Sequence, residues 1–471
     1  MTNAARDLHA APAPLQRRVL LAYGVGDAGT GMASALVGFY LFVFYTAVAG
    51  LPAWLAGTVL MVVRLWDVFS DQLIGWLGDR TRHRLGPRVP WMLWGALPLG
   101  VSMALMWWVP PFTGPWRLVW FVGIAALFQM SYSLVNLPYS ALPAELTANV
   151  ALRTRLVSAR FSGSVLASLV GLLLGASLTG QGATGYWRLG LAAGLVLVLG
   201  SLTSAIGLAP AAATCSRPSP QQSRALPQLR SLGRNPWFLR VVALYLLLWG
   251  ALQLMQPVAI LYLADALHLP EAWSKGLLIP FQISALVGIW IWNRLAARRS
   301  RLLALKIGGS AWILLCLLAI LLPVMPISGE ALAAANRGPL LLLLVSLMGL
   351  GISAATAYLL PWSFLPDAID AEANHPAGLI TAFLVQIQKL GSALSVFVLG
   401  LLLSWSGYQA SLGLAQPPQA LLMIRLCMGL LPALLVGAGL WAMRDWERIG
   451  ARVAASGGAG GDADPGEHNR R

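Results

Sequence analysis

Apolar stretches of about 20 residues, long enough to cross a bilayer core as helices, recur from one end of this chain to the other. No water reaches the hydrocarbon core. Each stretch must therefore satisfy its own backbone hydrogen bonds, which a helix does. The pattern predicts spans near 18–46, 52–78, 90–109, 117–141, 155–179 and 187–208, then near 237–264, 273–293, 302–322, 338–363, 377–404 and 420–444. A Pro-, Ser- and Arg-rich stretch, 209–236, separates the two sets. The expected fold is all-α, with twelve transmembrane helices in two pseudo-symmetric six-helix halves, 18–208 and 237–445. A short N-terminus, 1–17, precedes them, and the Gly-rich tail, 446–471, has too few apolar residues to order itself.

Charge supports a membrane protein over a soluble one. Only 10% of the residues are charged, against about 25% in soluble domains. The net charge of +15 could suit nucleic acid, but its distribution excludes that partner. Arginines cluster at Arg80 to Arg88, Arg153 to Arg160, Arg217 to Arg240, Arg294 to Arg301 and from Arg444 on. The loops between these clusters carry few. This alternation is the positive-inside pattern, and it places both termini in the cytoplasm of a bacterial-type inner membrane. Cys316 and Cys427 fall in apolar runs and Cys215 in the connector, so no disulfide framework is expected. The first 17 residues hold no signal-peptide core.

Gly24-Val-Gly26-Asp-Ala-Gly29 matches a dinucleotide fingerprint, but that motif needs a preceding strand. Here it opens a membrane helix, where small residues serve close packing. No HExxH, GxSxG or Walker A sequence occurs, and no catalytic residue or cofactor is expected.

Ionisable groups in mid-membrane each cost about 2.5–3.5 kcal/mol and so need a reason. The second span contains Arg64, Asp67 and Asp71. At about 100° per residue they share a sector of about 60°, with the carboxylates stacked one turn apart. With a hydroxyl such as that of Ser70 they suit a hard cation; the alternative is a structural Arg–Asp cluster. Lys389 lies mid-span, too far from either end to reach water, and should face an acidic partner in the bundle. Asp67 and Asp71 are the candidates, either as a coupling pair across the halves or as a structural salt bridge. Ser133, Asn136 and Pro138 form a polar spot in the fourth span, as a cavity wall or a packing kink. Gln253, Gln256 and Pro257 form a weaker one in the seventh. Trp66, Tyr132, Tyr139, Tyr358 and Trp362 could line a substrate path or simply pack. Asp79 and Arg80, in Gly75-Trp-Leu77-Gly78-Asp79-Arg80, suit a charged clasp at the cytoplasmic mouth or act as topogenic charge.

Several of these motifs together resemble the glycoside–pentoside–hexuronide:cation symporters of the major facilitator superfamily. They are Arg64-x-Trp66-Asp67-x-x-x-Asp71, Gly75-x-x-x-Asp79-Arg80, Tyr45-Thr46, Asn136-Leu-Pro138-Tyr139, Pro366-Asp367-x-x-Asp370 and Lys389-x-Gly391-Ser392. The resemblance runs from Tyr23 to about Arg448. It implies symport by alternating access, coupled to sodium or else to protons or lithium, by a protein that works as a monomer. It implies cation binding at Asp67 and Asp71, helped by Ser70 and Ser133. It also assigns Arg160 and Lys389 to substrate binding or coupling, beside Asn136, Arg64, Tyr139, Tyr358 and Trp362. Two acids that hold sugar hydroxyls in melibiose-carrying members correspond here to Gly31 and Asn136, with Asp27 one turn before Gly31. Leu360-Pro361-Trp362-Ser363-x-Leu365-Pro366-Asp367 also looks like the sodium-dependent lysophosphatidylcholine symporters. The expected substrate is thus a glycoside or related small polar solute, with a lysophospholipid as the alternative.

Overall fold

The computed structural model describes residues 13–147, 149–213, 236–324, 337–370 and 377–446. The first 12 residues, most of the connector with Cys215, the tail beyond Trp446, and the side chains of Asp79, Asp367 and Asp370 lie outside them. Among the described residues every regular element is helical. Eleven segments are long and apolar enough to cross a membrane. One of these, the 62-residue Ala151–Ala212, holds two helices separated by a turn at Thr179–Gln181, which makes twelve spans.

In the N-terminal half, α1 (Ala13–Gly26) and α2 (Ala28–Val43) share the first span. The others are α3 (Ala53–Arg80), α4 (Val89–Met106), α5 (Pro115–Leu146), α6 (Val150–Leu178) and α7 (Gly182–Ala212). The C-terminal half starts with α8 (Pro236–Leu261). Then come α9 (Glu271–Gly276) with α10 (Leu278–Arg298), α11 (Arg301–Leu321), α12 (Arg337–Asp370) and α13 (Ala377–Trp405). The last span is α14 (Pro418–Met428) with α15 (Leu430–Ala442).

The first span of each half ends in the same way. A π-helical turn, Phe44–Val48 in one half and Tyr262–Ala266 in the other, widens the last turn. Ala49 N–H donates to the Phe44 carbonyl at 2.8 Å and Leu267 N–H to the Tyr262 carbonyl at 3.0 Å. Pro52 and Pro270, at φ −56° and −55°, then open the following helices. Prolines suit such openings because their missing N–H would have no helical partner there. Matching corners are the mark of an internal repeat.

Small residues set the helix spacing within the N-terminal half. A Cβ on Gly31 would lie 2.1 Å from the Ser164 carbonyl oxygen of α6, so only glycine fits. The glycines of the Gly24–Gly29 motif likewise face α6 and α7, and helix precedes them rather than a strand. They serve packing, not a nucleotide.

The halves meet where α3 crosses α13. A Cβ on Gly400 would stand 2.5 Å from the Ala53 carbonyl oxygen and 3.1 Å from the Gly57 Cα. Beside this crossing the Trp54 N–H donates to Ser404 Oγ at 2.8 Å, which caps the start of one helix from the opposite half. Phe39 of α2 meets Phe281 of α10 edge-on, with centroids 6.2 Å apart. These contacts close the end of the bundle remote from Arg80 to Arg88. A central cavity reaches the other end, where Gly78 and Arg88 line it.

A methyl group at Gly400 has no flexible neighbour to displace, since the obstructing atom is backbone. Gly400→Ala should therefore weaken this closed arrangement by about 1–3 kcal/mol. Reaction of a Ser404→Cys variant with a membrane-impermeant maleimide reports it: labelling should rise when Gly400→Ala is added. Unchanged labelling would show that the crossing has slack.

Candidate functional site

Helical periodicity brings Asp67 and Asp71 of α3 to one face, and that face points into the bundle. Asp67 is fully buried and Asp71 nearly so. Lys389 of α13 reaches both from the other half. Its Nζ lies 2.7 Å from Asp67 Oδ2 and donates a short hydrogen bond to Asp71 Oδ2. Ser133 of α5 donates to Asp71 Oδ1 at 2.5 Å, and its Oγ is 3.3 Å from Asp67 Oδ1. Two carboxylates, one hydroxyl and one ammonium thus converge from three helices. Ser70 is buried too, but its hydroxyl donates to the Asp67 backbone carbonyl at 3.2 Å and so serves its own helix.

A second cluster lies on α6. Arg160 Nε is 3.2 Å from Asp27 Oδ2, and its Nη2 donates to Asn136 Oδ1 at 3.1 Å. Asp27 sits at the break between α1 and α2, where the Thr30 hydroxyl also donates to its carboxylate. Because Gly31 has no room for a side chain, Asp27 is the acid that the first span brings to Arg160. Tyr139 lies behind this pair. Its ring stacks on Tyr23 with centroids 4.4 Å apart, its hydroxyl donates to the Tyr23 carbonyl, and the Arg160 guanidinium is 5.1 Å from the ring centre.

Both clusters border one cavity of about 1080 Å3 between the halves, lined by Arg64, Asp67, Asp71, Ser133, Asn136, Arg160 and Lys389. Its size is at the upper end of ordinary small-molecule sites. The far wall is aromatic. Trp249 of α8 meets Tyr358 of α12 edge-on at 5.2 Å, and Trp362 meets Tyr245 at 5.6 Å. Trp249 Nε1 donates to Ser392 Oγ at 3.0 Å. Amides fill much of the remaining lining, among them Gln129, Gln253, Gln256, Gln282 and Gln388. Each amide both donates and accepts, which matches the needs of hydroxyl groups.

Sequence reasoning singled out Gln253 and Gln256 but neither Trp249 nor Gln129, Gln282 and Gln388. Each of those three amides is a polar residue within an apolar span, the same signal that marks Lys389. Trp66 stands apart from the cavity, 40% exposed on the outer face of α3. At the arginine-rich mouth, Arg80 stacks on Trp76 with its Cζ 3.8 Å from the ring centre. The ion pair found there joins Arg88 Nε to Glu145 Oε1 at 2.8 Å, and a Cβ on Gly78 would touch the Arg88 guanidinium at 3.4 Å.

Comparison with known proteins agrees with this architecture. Residues 22–445 match the family described as MFS/sugar transport protein. An uncharacterized symporter of Synechocystis sp. is 30% identical, over 89% of this chain and 92% of that protein. The sodium-dependent lysophosphatidylcholine symporter 1 of Mus musculus is 25% identical, over 89% of this chain and 83% of its own length. The isoprimeverose transporter of Lactiplantibacillus pentosus is 27% identical, over 94% and 90%. Among solved structures, the nucleoside transporter NupG superposes with a TM-score of 0.61 over 91% of this chain and 99% of its own, at 15% identity. That likeness is one of fold alone. The chain belongs to the MFS/sugar transport protein family and is a multi-pass membrane transporter of the major facilitator fold.

Proposed function

We propose that this protein is a sodium-coupled symporter for a glycoside or a related small polar solute. The observation that carries the proposal is Lys389, an amine of one half held between two carboxylates of the other at the wall of an amide-lined cavity. Asp67, Asp71 and the Ser133 hydroxyl offer oxygen ligands of the kind hard cations prefer. A sodium ion entering there competes with the Lys389 ammonium for the same oxygens. Displacing the amine removes a tie between the halves and lets them rock. The cavity then faces the opposite side with both ligands aboard. Protons or lithium could compete at the same oxygens. With the positive-inside assignment, both termini lie in the cytoplasm and the cavity faces inward, and the bacterial relatives support a bacterial inner membrane as its location. One chain contains both halves of the site, so a monomer suffices.

Asn136, Arg160 and the amides supply hydrogen bonds to a solute, while Trp249, Tyr358 and Trp362 supply flat apolar faces against which a sugar ring can lie. The names of the relatives span a sugar and a lysolipid. The density of amides favours the polyhydroxylated solute. Proteoliposome uptake with and without an inward sodium gradient tests this choice. The panel should hold α- and β-galactosides, a pentoside, a glucuronide and a labelled lysophosphatidylcholine. Sodium-driven entry of a sugar supports the proposal, whereas sodium-driven movement of the lysolipid alone overturns it.

Two substitutions test the cation site. Asp71→Asn should abolish sodium stimulation of uptake, because it removes one of two anionic ligands; retained stimulation would place the cation elsewhere. Lys389→Ala leaves two buried carboxylates without their counter-charge, an arrangement that destabilises by about 3–5 kcal/mol. Thermal unfolding in detergent should show a lower midpoint, and adding Asp71→Asn should recover part of the loss. An unchanged midpoint would mean that the ion pair is already well solvated.

A further inference from the structure

Among the described residues the charges around the cavity balance. Arg64, Arg160 and Lys389 are positive; Asp27, Asp67 and Asp71 are negative, and Arg88 at the mouth is neutralised by Glu145. The C-terminal half presents no carboxylate to the cavity among the described residues; apart from Lys389, its lining is neutral. Arg160 has Asp27, and Lys389 is shared by Asp67 and Asp71. Arg64 differs: it makes no ion pair or hydrogen bond with any described residue. It lies one turn from Asp67 toward the closed end, and it lines both the main cavity and the small pocket beyond it. Gln129, Gln253 and Gln256 border the same two spaces.

A monovalent cation bound at Asp67 and Asp71 would leave this balanced site with one excess positive charge. When the halves close over the cavity during rocking and water is excluded, an uncompensated charge is unfavourable. A co-substrate with one negative charge restores neutrality; a neutral co-substrate does not. We propose that the transported solute is a monoanion, and that Arg64, with the amides of Gln129, Gln253 and Gln256, receives its charged group. The guanidinium fork matches the paired oxygens of a carboxylate or a phosphate diester, and the amides supply further N–H donors. The inference rests on the assignment of the coupling cation to Asp67 and Asp71. It makes the transport of one cation with one solute electroneutral. The shared chemistry is an oxyanion with a single charge, whether the carboxylate of a uronide or the phosphodiester of an anionic lysolipid.

Matched pairs in proteoliposomes under an inward sodium gradient test it: phenyl glucoside against phenyl glucuronide, and lysophosphatidylcholine against lysophosphatidylglycerol. Potassium gradients with valinomycin set the membrane potential. The anionic member of at least one pair should enter faster than its net-neutral partner by roughly tenfold or more, at a rate that an inside-negative potential does not change. The pair that shows the preference identifies the carboxylate or the phosphate as the source. Arg64→Gln should bring the two members of that pair within about twofold of each other, and Arg64→Lys should restore part of the preference. Equal or faster sodium-driven entry of the net-neutral members, accelerated by an inside-negative potential, would overturn the anion assignment while leaving the cation site intact. Retained preference in Arg64→Gln would overturn the role of Arg64. If that variant does not fold, the pair preference and potential dependence of the unmodified protein decide. Failure of the cation site itself reads out separately, as sodium stimulation that survives Asp71→Asn.

Discussion

The ammonium of Lys389, held by Asp67 and Asp71 across the interface between the halves, governs the rest of the structure. A buried ion pair adds little stability over apolar packing, yet losing one member is costly because the other is left unpaired in a poor solvent. Lys389 can therefore be exchanged for another cation far more readily than it can be removed without replacement. That asymmetry suits a carrier. It makes one interface contact depend on what occupies two carboxylates, while the close crossing of Gly57 and Gly400 holds the same helix pair by backbone contact toward the closed end. The first contact responds to charge and the second only to shape.

The scaffold is symmetric and its chemistry is not. The π turns at Phe44–Val48 and Tyr262–Ala266 and the prolines that follow them show two halves built on one plan. Yet among the described residues the carboxylates of the site all belong to the N-terminal half, and the C-terminal half supplies an amine, amides and aromatic rings. Rocking one half against the other therefore changes the distance between unlike chemistries. On the proposed reading, a charged ligand in the cavity would therefore act directly on the relative position of the halves.

Much of this was legible in the sequence because the bilayer reduces the problem to helices. Span length located the twelve segments, and the 3.6-residue period put Asp67 and Asp71 on one face. The distance of Lys389 from both ends of its span marked it as needing a buried partner. Periodicity, however, names a face and not its neighbour. It could not tell that Ser70 would bond to its own helix while Ser133, on another helix, would meet the carboxylates. Nor could it place Tyr139 behind Arg160 rather than on the cavity surface, because both orientations satisfy the same apolar pattern. Trp249 carried no signal of its own, since tryptophan in a membrane span serves packing, the interface and cavities alike.

The tight contact between α2 and α6 also bears on selectivity. An acidic side chain at position 31 is excluded by the Ser164 carbonyl 2.1 Å from where its Cβ would be. The first span contributes its acid one turn earlier, at Asp27, and there Arg160 and the Thr30 hydroxyl take up the carboxylate. Asn136 then offers Arg160 an amide oxygen instead of a second charge. The acceptors that would grip a sugar through charge-assisted hydrogen bonds are thus either absent or already engaged. On the proposed reading, recognition would pass to the neutral amides and to the donors of Arg64. Such a set grips hydroxyls only moderately, and the three carboxylates that could repel an anion are each already engaged by Arg160 or Lys389. Backbone packing between α2 and α6, at the cavity wall one turn from Asp27 and Arg160, in this way decides which acid the first span can offer to a solute.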